Sequence, residues 1–107
     1  MKTILLVDQD SENLITLTYV LNMEGYTVLP KANADAALSA IDLGVKVGLV
    51  IACDCLSDYQ GRDFIALLKQ RLPDLPIVLL SEQVPRLTYQ RWINKEVSDL
   101  LLKPVNL

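Results

Sequence analysis

Four short polar clusters carry the residues able to do chemistry, and each follows an apolar run. Asp8, Gln9 and Asp10 follow Thr3-Ile4-Leu5-Leu6-Val7, and Cys53 and Asp54 follow Leu49-Val50-Ile51-Ala52. Ser81 and Glu82 follow Ile77-Val78-Leu79-Leu80, and Lys103 follows Asp99-Leu100-Leu101-Leu102. Carboxylates hold hard cations such as Mg²⁺, while a hydroxyl and a lysine bind phosphoryl oxygens. Brought together, such a set is a site for an oxyanion, with or without a divalent cation. The chain has no histidine. That excludes Ser-His-Asp and Cys-His catalysis, histidine-ligated zinc and a phosphohistidine within this chain.

The intervening sequence predicts the elements that must position these clusters. The first apolar run is continuous, as in a central parallel strand covered on both faces. Leu14, Leu17, Thr18 and Leu21 then follow helical spacing, with Asp10 or Ser11 as N-cap, Glu12 in the first turn and Gly25 past the end. Tyr26 to Leu29 reads as a second strand closed by Pro30. Asn33 caps a helix carrying Ala36, Ala37, Leu38, Ala40 and Ile41, and Gly44 stops it. A third strand, Leu49 to Cys53, leads into a polar loop, and Gly61 opens a third helix bearing Phe64, Ile65, Leu67 and Leu68. Pro73 ends it. The fourth strand runs from Ile77 into Ser81, a fourth helix from Pro85 to about Lys95, and the fifth strand from Asp99 to Leu102.

Strands separated by helices imply a parallel sheet with helices on both faces. In such sheets the functional crevice lies beyond the carboxyl ends of the strands, at a switch in strand order. All four polar clusters fall there.

Composition bounds the rest. A chain of 107 residues makes one domain, 1–107. Its 10 basic and 13 acidic side chains, net −3, argue against direct nucleic-acid binding. No apolar run is long enough for a membrane span, and the amino terminus lacks the pattern of a secretory signal. A cytoplasmic location is expected. Cys53 and Cys55 read as structural residues rather than a redox or metal pair, since two thiols alone make a poor zinc site.

Several of these motifs resemble the response-regulator receiver domain, the phosphoryl-accepting module of two-component signalling. They are Ile4-Leu5-Leu6-Val7-Asp8, Gly61, Leu75 to Ser81, and Leu101-Leu102-Lys103-Pro104, with 22 residues from Ser81 to Lys103. The resemblance covers nearly the whole chain. It implies a flavodoxin-like, doubly wound α/β fold with a five-stranded parallel sheet of order 2-1-3-4-5. It also implies a histidine kinase or an output domain as partner. The family has a fifth helix after its Lys-Pro strand, whereas only Val105, Asn106 and Leu107 follow here. The expectation is therefore a fold without that helix, forming the N-terminal part of a longer signalling protein and able to dimerise through the face the helix would cover.

The resemblance also implies altered chemistry. Receivers have two adjacent acids after the first strand; here these positions hold Asp8 and Gln9, with Asp10 one place further on. The family's acceptor Asp stands eight residues before the glycine that opens helix three, and that position holds Cys53. Its Mg²⁺ ligands map to Gln9, Cys53 and the carbonyl of Cys55, and an amide and a thiol are poor ligands for that cation. Ser81 and Lys103 match the phosphoryl-contacting positions. The expectation is a phosphorylation-independent interaction module with no cofactor and no enzymatic activity.

Two alternatives stand beside it. A one-residue shift would make Asp54 the acceptor, with Asp8 and Asp10 as metal acids for Mg²⁺; the chain would then be a slow aspartyl-phosphate hydrolase. Asp8-Gln9-Asp10 also resembles the nucleophile motif of haloacid-dehalogenase-like phosphatases, with Asp8 as nucleophile. In the fourth helix, Tyr89 and Trp92 are candidates for a partner surface.

Overall fold

The computed structural model describes residues 3–53, 61–81 and 99–102, with side chains described for 3–53 and 63–80. In chain order the elements are β1 (Thr3–Val7), α1 (Ser11–Met23), β2 (Val28–Lys31), α2 (Ala34–Asp42), β3 (Val47–Cys53), α3 (Gly61–Arg71), β4 (Ile77–Ser81) and β5 (Asp99–Leu102). The strands form one sheet, ordered β2-β1-β3-β4-β5, and every pairing is parallel. This is the doubly wound α/β architecture that the sequence pattern predicts. The expected fourth helix, with Tyr89 and Trp92, and everything beyond Leu102 lie outside the described residues.

β1 lies inside the sheet between β2 and β3, and Ile4 to Val7 are all buried. Its side chains alternate between two cores. Leu5 and Val7 join Val50, Ala52, Ile77 and Leu79 beneath α2 and α3. Leu6 joins Leu80 and the half-buried Ile51 and Val28 beneath α1, whose one buried residue is Leu17. Parallel strands in register turn matching residues to the same face, as Leu5, Val50 and Ile77 show, which is why one sheet yields two separate clusters.

Local signals set the helix ends. Asp10 caps α1 by accepting hydrogen bonds at Oδ1 from the backbone N–H of Glu12 (3.0 Å) and Asn13 (3.5 Å). Asn33 caps α2 by accepting from Ala36 N–H at 2.8 Å. Both caps satisfy amides that have no partner within their own helix. Gly25 and Gly44, with φ of +94° and +97°, turn the chain out of these helices in the left-handed region.

Boundaries differ from the sequence reading in two strands. β3 begins at Val47 rather than Leu49. Pro30 does not close the second strand; it lies inside β2, which begins later, at Val28, and runs on to Lys31. β2 is an edge of the sheet, so one side of its backbone has no strand to pair with. A proline lacking an N–H is tolerated there and would be excluded from β1.

Candidate functional site

The best-defined part of the carboxyl edge is the turn from β1 into α1. Asp8 follows Val7 and is fully buried, the one polar residue so placed among the described residues. Its own N–H donates to Lys31 O at 3.1 Å, which fixes the strand end against β2. Its Oδ1 accepts from Asp10 N–H at 2.9 Å, and its Oδ2 accepts from Asn13 Nδ2 at 3.4 Å. A buried carboxylate needs such donors to offset lost hydration. The positive end of the α1 dipole supports it further. Gln9, between the two acids, is exposed.

Asp8 and Asp10 are thus both employed in the turn. One carboxylate closes an Asx-type turn two residues on, and the other caps the helix. Asn13 is the residue that sequence reasoning missed. Its signal was a polar side chain in the first turn of a helix that starts directly after a strand-end acid.

The neighbouring strands bring their ends to the same edge. Val7 pairs with Ala52, so Asp8 and Cys53 each stand one residue beyond a matched pair. Cys53 closes β3 and pairs with Leu80, which places Ser81 one residue further along β4. Ser81 in turn pairs with Leu102, the residue before Lys103. The pairing of β3 with β4 is unbroken from Val50 to Cys53. The register shift in the sheet lies at the opposite end, between Thr3 and Ile4. Cys53 itself is 3% exposed and belongs to the buried cluster beneath α2 and α3, although its pair partner Leu80 belongs to the one beneath α1. The backbone therefore brings together Asp8, Cys53 and the Ser81 position. Asp54, Cys55, Lys103 and the Ser81 side chain lie outside the described residues.

The profile of the response regulator receiver domain family matches residues 4–107. The chain belongs to that family. As a receiver domain it is a signalling module of two-component systems, and the family match displaces the phosphatase reading. The two-component response regulator ORR3 of rice (Oryza sativa subsp. japonica) is 25% identical over 104 residues, spanning 95% of this chain and 79% of that protein. The DNA-binding transcriptional regulator NtrC of Rhizobium meliloti is 30% identical over 105 residues, but the match spans only 22% of its length. Among solved structures, a CheY-like receiver from Methanospirillum hungatei superimposes with a TM-score of 0.89 at 24% identity, covering 99% of this receiver and 84% of that chain. Chemotaxis protein CheY4 of Vibrio cholerae gives 0.87 at 21% identity, covering 99% and 89%. These structures share the receiver's fold. Among the described residues no helix is long and apolar enough to cross a membrane.

Proposed function

We propose that this receiver signals through protein contacts without accepting a phosphoryl group, its partner being a histidine kinase or an output domain. The observation that carries this reading is Cys53 at the end of β3. It stands one step past the Val7–Ala52 pair and level with Leu80, in a register that runs without a bulge. A shift that would put Asp54 in its place reverses the faces of the strand unless a bulge absorbs it.

The described acids also fit Mg²⁺ poorly. That cation requires near-octahedral oxygen ligation and binds through carboxylates with several waters. Asp10 spends Oδ1 on the α1 cap, Gln9 offers a neutral amide, and Cys53 offers sulfur in an apolar core. We therefore assign no metal chemistry to this site.

The test is phosphorylation with acetyl phosphate and Mg²⁺, read by intact mass. The unmodified mass should persist, and beryllium fluoride with Mg²⁺ should leave the near-ultraviolet spectrum unchanged. A phosphoryl adduct abolished by Asp54→Asn would overturn the reading and establish the alternative acceptor. The complementary test is gain of function: the Gln9→Asp/Cys53→Asp pair restores two oxygen ligands and a nucleophile and should acquire the adduct.

A further inference from the structure

We propose that Asn13 is a built-in substitute for a cation at the carboxyl edge: its side-chain amide holds Asp8 and fixes the β1–α1 turn without a metal. This rests on the reading of a site without Mg²⁺ and extends it, from what the acids lack to what takes the ion's place. Asn13 is a positioning residue and acts through Asp8.

A buried carboxylate must recover the hydration it gave up, from a cation or from N–H donors. Asp8 is 0% exposed and draws on donors. Asp10 N–H meets its Oδ1 at 2.9 Å, and Asn13 Nδ2 meets its Oδ2 at 3.4 Å. The two donors differ in kind. The first is main chain, and almost any residue at position 10 would supply it. The second exists only because position 13 carries an amide side chain.

Asn13 also reaches the other acid of the turn. Its backbone N–H donates to Asp10 Oδ1 at 3.5 Å while its side chain donates to Asp8 Oδ2. One half-buried residue in the first turn of α1 therefore ties both carboxylates to the helix. A cation shared by the two acids would need their oxygens to converge. Instead Asp10 turns Oδ1 to the first amides of α1, and Asp8 turns Oδ2 to Asn13. Among the described residues no three acidic or thiol side chains stand close enough to hold a metal. The order that a bound cation would impose on this turn is imposed by the helix that carries Asn13.

The position makes the test a matter of sign. Were Asn13 an ordinary first-turn residue, an acid there would be stabilising through the helix dipole, and alanine through its higher helix propensity. The latch predicts the reverse for both. In thermal unfolding without divalent metal, Asn13→Ala should melt about 4 °C or more below the parent. Asn13→Asp should melt lower still, because the introduced carboxylate faces Asp8 where a donor stood. Far-ultraviolet circular dichroism of both variants at low temperature should match the parent. Adding about 10 mM Mg²⁺ should leave the parent and Asn13→Ala unchanged and recover at least half of the Asn13→Asp loss, since two facing carboxylates suit a hard cation.

A parent stabilised by Mg²⁺ overturns the latch together with the metal-free reading beneath it. A parent indifferent to Mg²⁺, with either variant as stable as the parent, overturns the role of Asn13 and leaves that reading standing. So does an Asn13→Asp loss that Mg²⁺ does not relieve.

Discussion

The two faces of the sheet are held in different ways. Beneath α2 and α3, β1, β3 and β4 bury Leu5, Val7, Val50, Ala52, Ile77 and Leu79 against Ala37, Leu38, Phe64, Ile65 and Leu68. Beneath α1, the buried cluster is Leu6, Leu17 and Leu80. Arg71 of α3 adds a two-pronged bond to Asp42 of α2, at 2.8 and 3.2 Å, and Lys69 Nζ donates to Leu75 O at 2.7 Å. α1 has no buried residue but Leu17, and it turns Ile15, Tyr19 and Met23 to solvent. One face keeps the fold together. The other anchors its helix at the end where the site lies and leaves the outward surface to solvent.

The largest expected effects test that contrast with one chemistry on both faces. Leu68→Ala, in α3, should cost about 4 kcal/mol in urea unfolding, and Leu17→Ala, in α1, about 2–3 kcal/mol. Leu68 is completely buried, and its removal leaves a cavity that closely packed neighbours cannot fill. Leu17 lies in a small cluster ringed by half-buried side chains, which can relax. Equal costs for the two would break the comparison.

Next comes Asp8, where the site meets the fold. Asp8→Ala should destabilise by about 1–3 kcal/mol, since a buried acceptor serving two donors disappears. Asp8→Asn, which keeps one acceptor oxygen, should cost less. Comparable losses would mean that the charge, rather than the hydrogen bonds to Asp10 and Asn13, holds the turn.

Much of this was legible in the sequence because the strands here are continuous apolar runs and the helix ends carry strong local signals. Asp10 and Asn33 cap where their types and positions predict. The strand order followed from the receiver resemblance, and the carboxyl edge from the alternation of strands and helices. Periodicity also named the side of α1 that faces the sheet: of Leu14, Leu17, Thr18 and Leu21, Leu17 is buried on Leu6 and Leu80 and the others are half-buried. What it did not separate from that side were Ile15, Tyr19 and Met23, apolar residues that the packing leaves exposed. Asn13 was missed because its bond to Asp8 depends on how the turn folds back, and Pro30 because a strand's place at the sheet edge is a property of the whole sheet.

The caps sharpen the comparison at about 1 kcal/mol each, on Asp10→Ala and Asn33→Ala. Their equilibrium costs should be similar, but their local effects should differ. α2 has Ala34, Ala37, Leu38 and Ala40 buried and should stay ordered without its cap. α1 should fray, so amide exchange should quicken through its first turns in Asp10→Ala and not through α2 in Asn33→Ala. Matching protection losses in both helices would show that α1 is held as firmly as α2.

The smallest effect belongs to the ion pair on the better-packed face. Arg71 Nε lies 2.8 Å from Asp42 Oδ1, with the carboxylate half-exposed. Its hydrogen bond from Arg71 holds the Asp42 carboxyl below its ordinary value of 3.8, with desolvation opposing the shift and the Arg71 charge adding to it. A carboxylate whose pKa is lower folded than unfolded stabilises above the unfolded value, and that contribution disappears as pH falls through the folded one. Asp42→Asn should therefore lower the melting temperature slightly at neutral pH, and the difference from the parent should vanish in acid, below the ordinary carboxylate range. Added salt should shrink it at neutral pH as well, because an exposed pair is screened. A large, salt-insensitive loss would mean that the Arg71–Asp42 bond, rather than the apolar packing of Phe64, Ile65 and Leu68, keeps α3 beside α2.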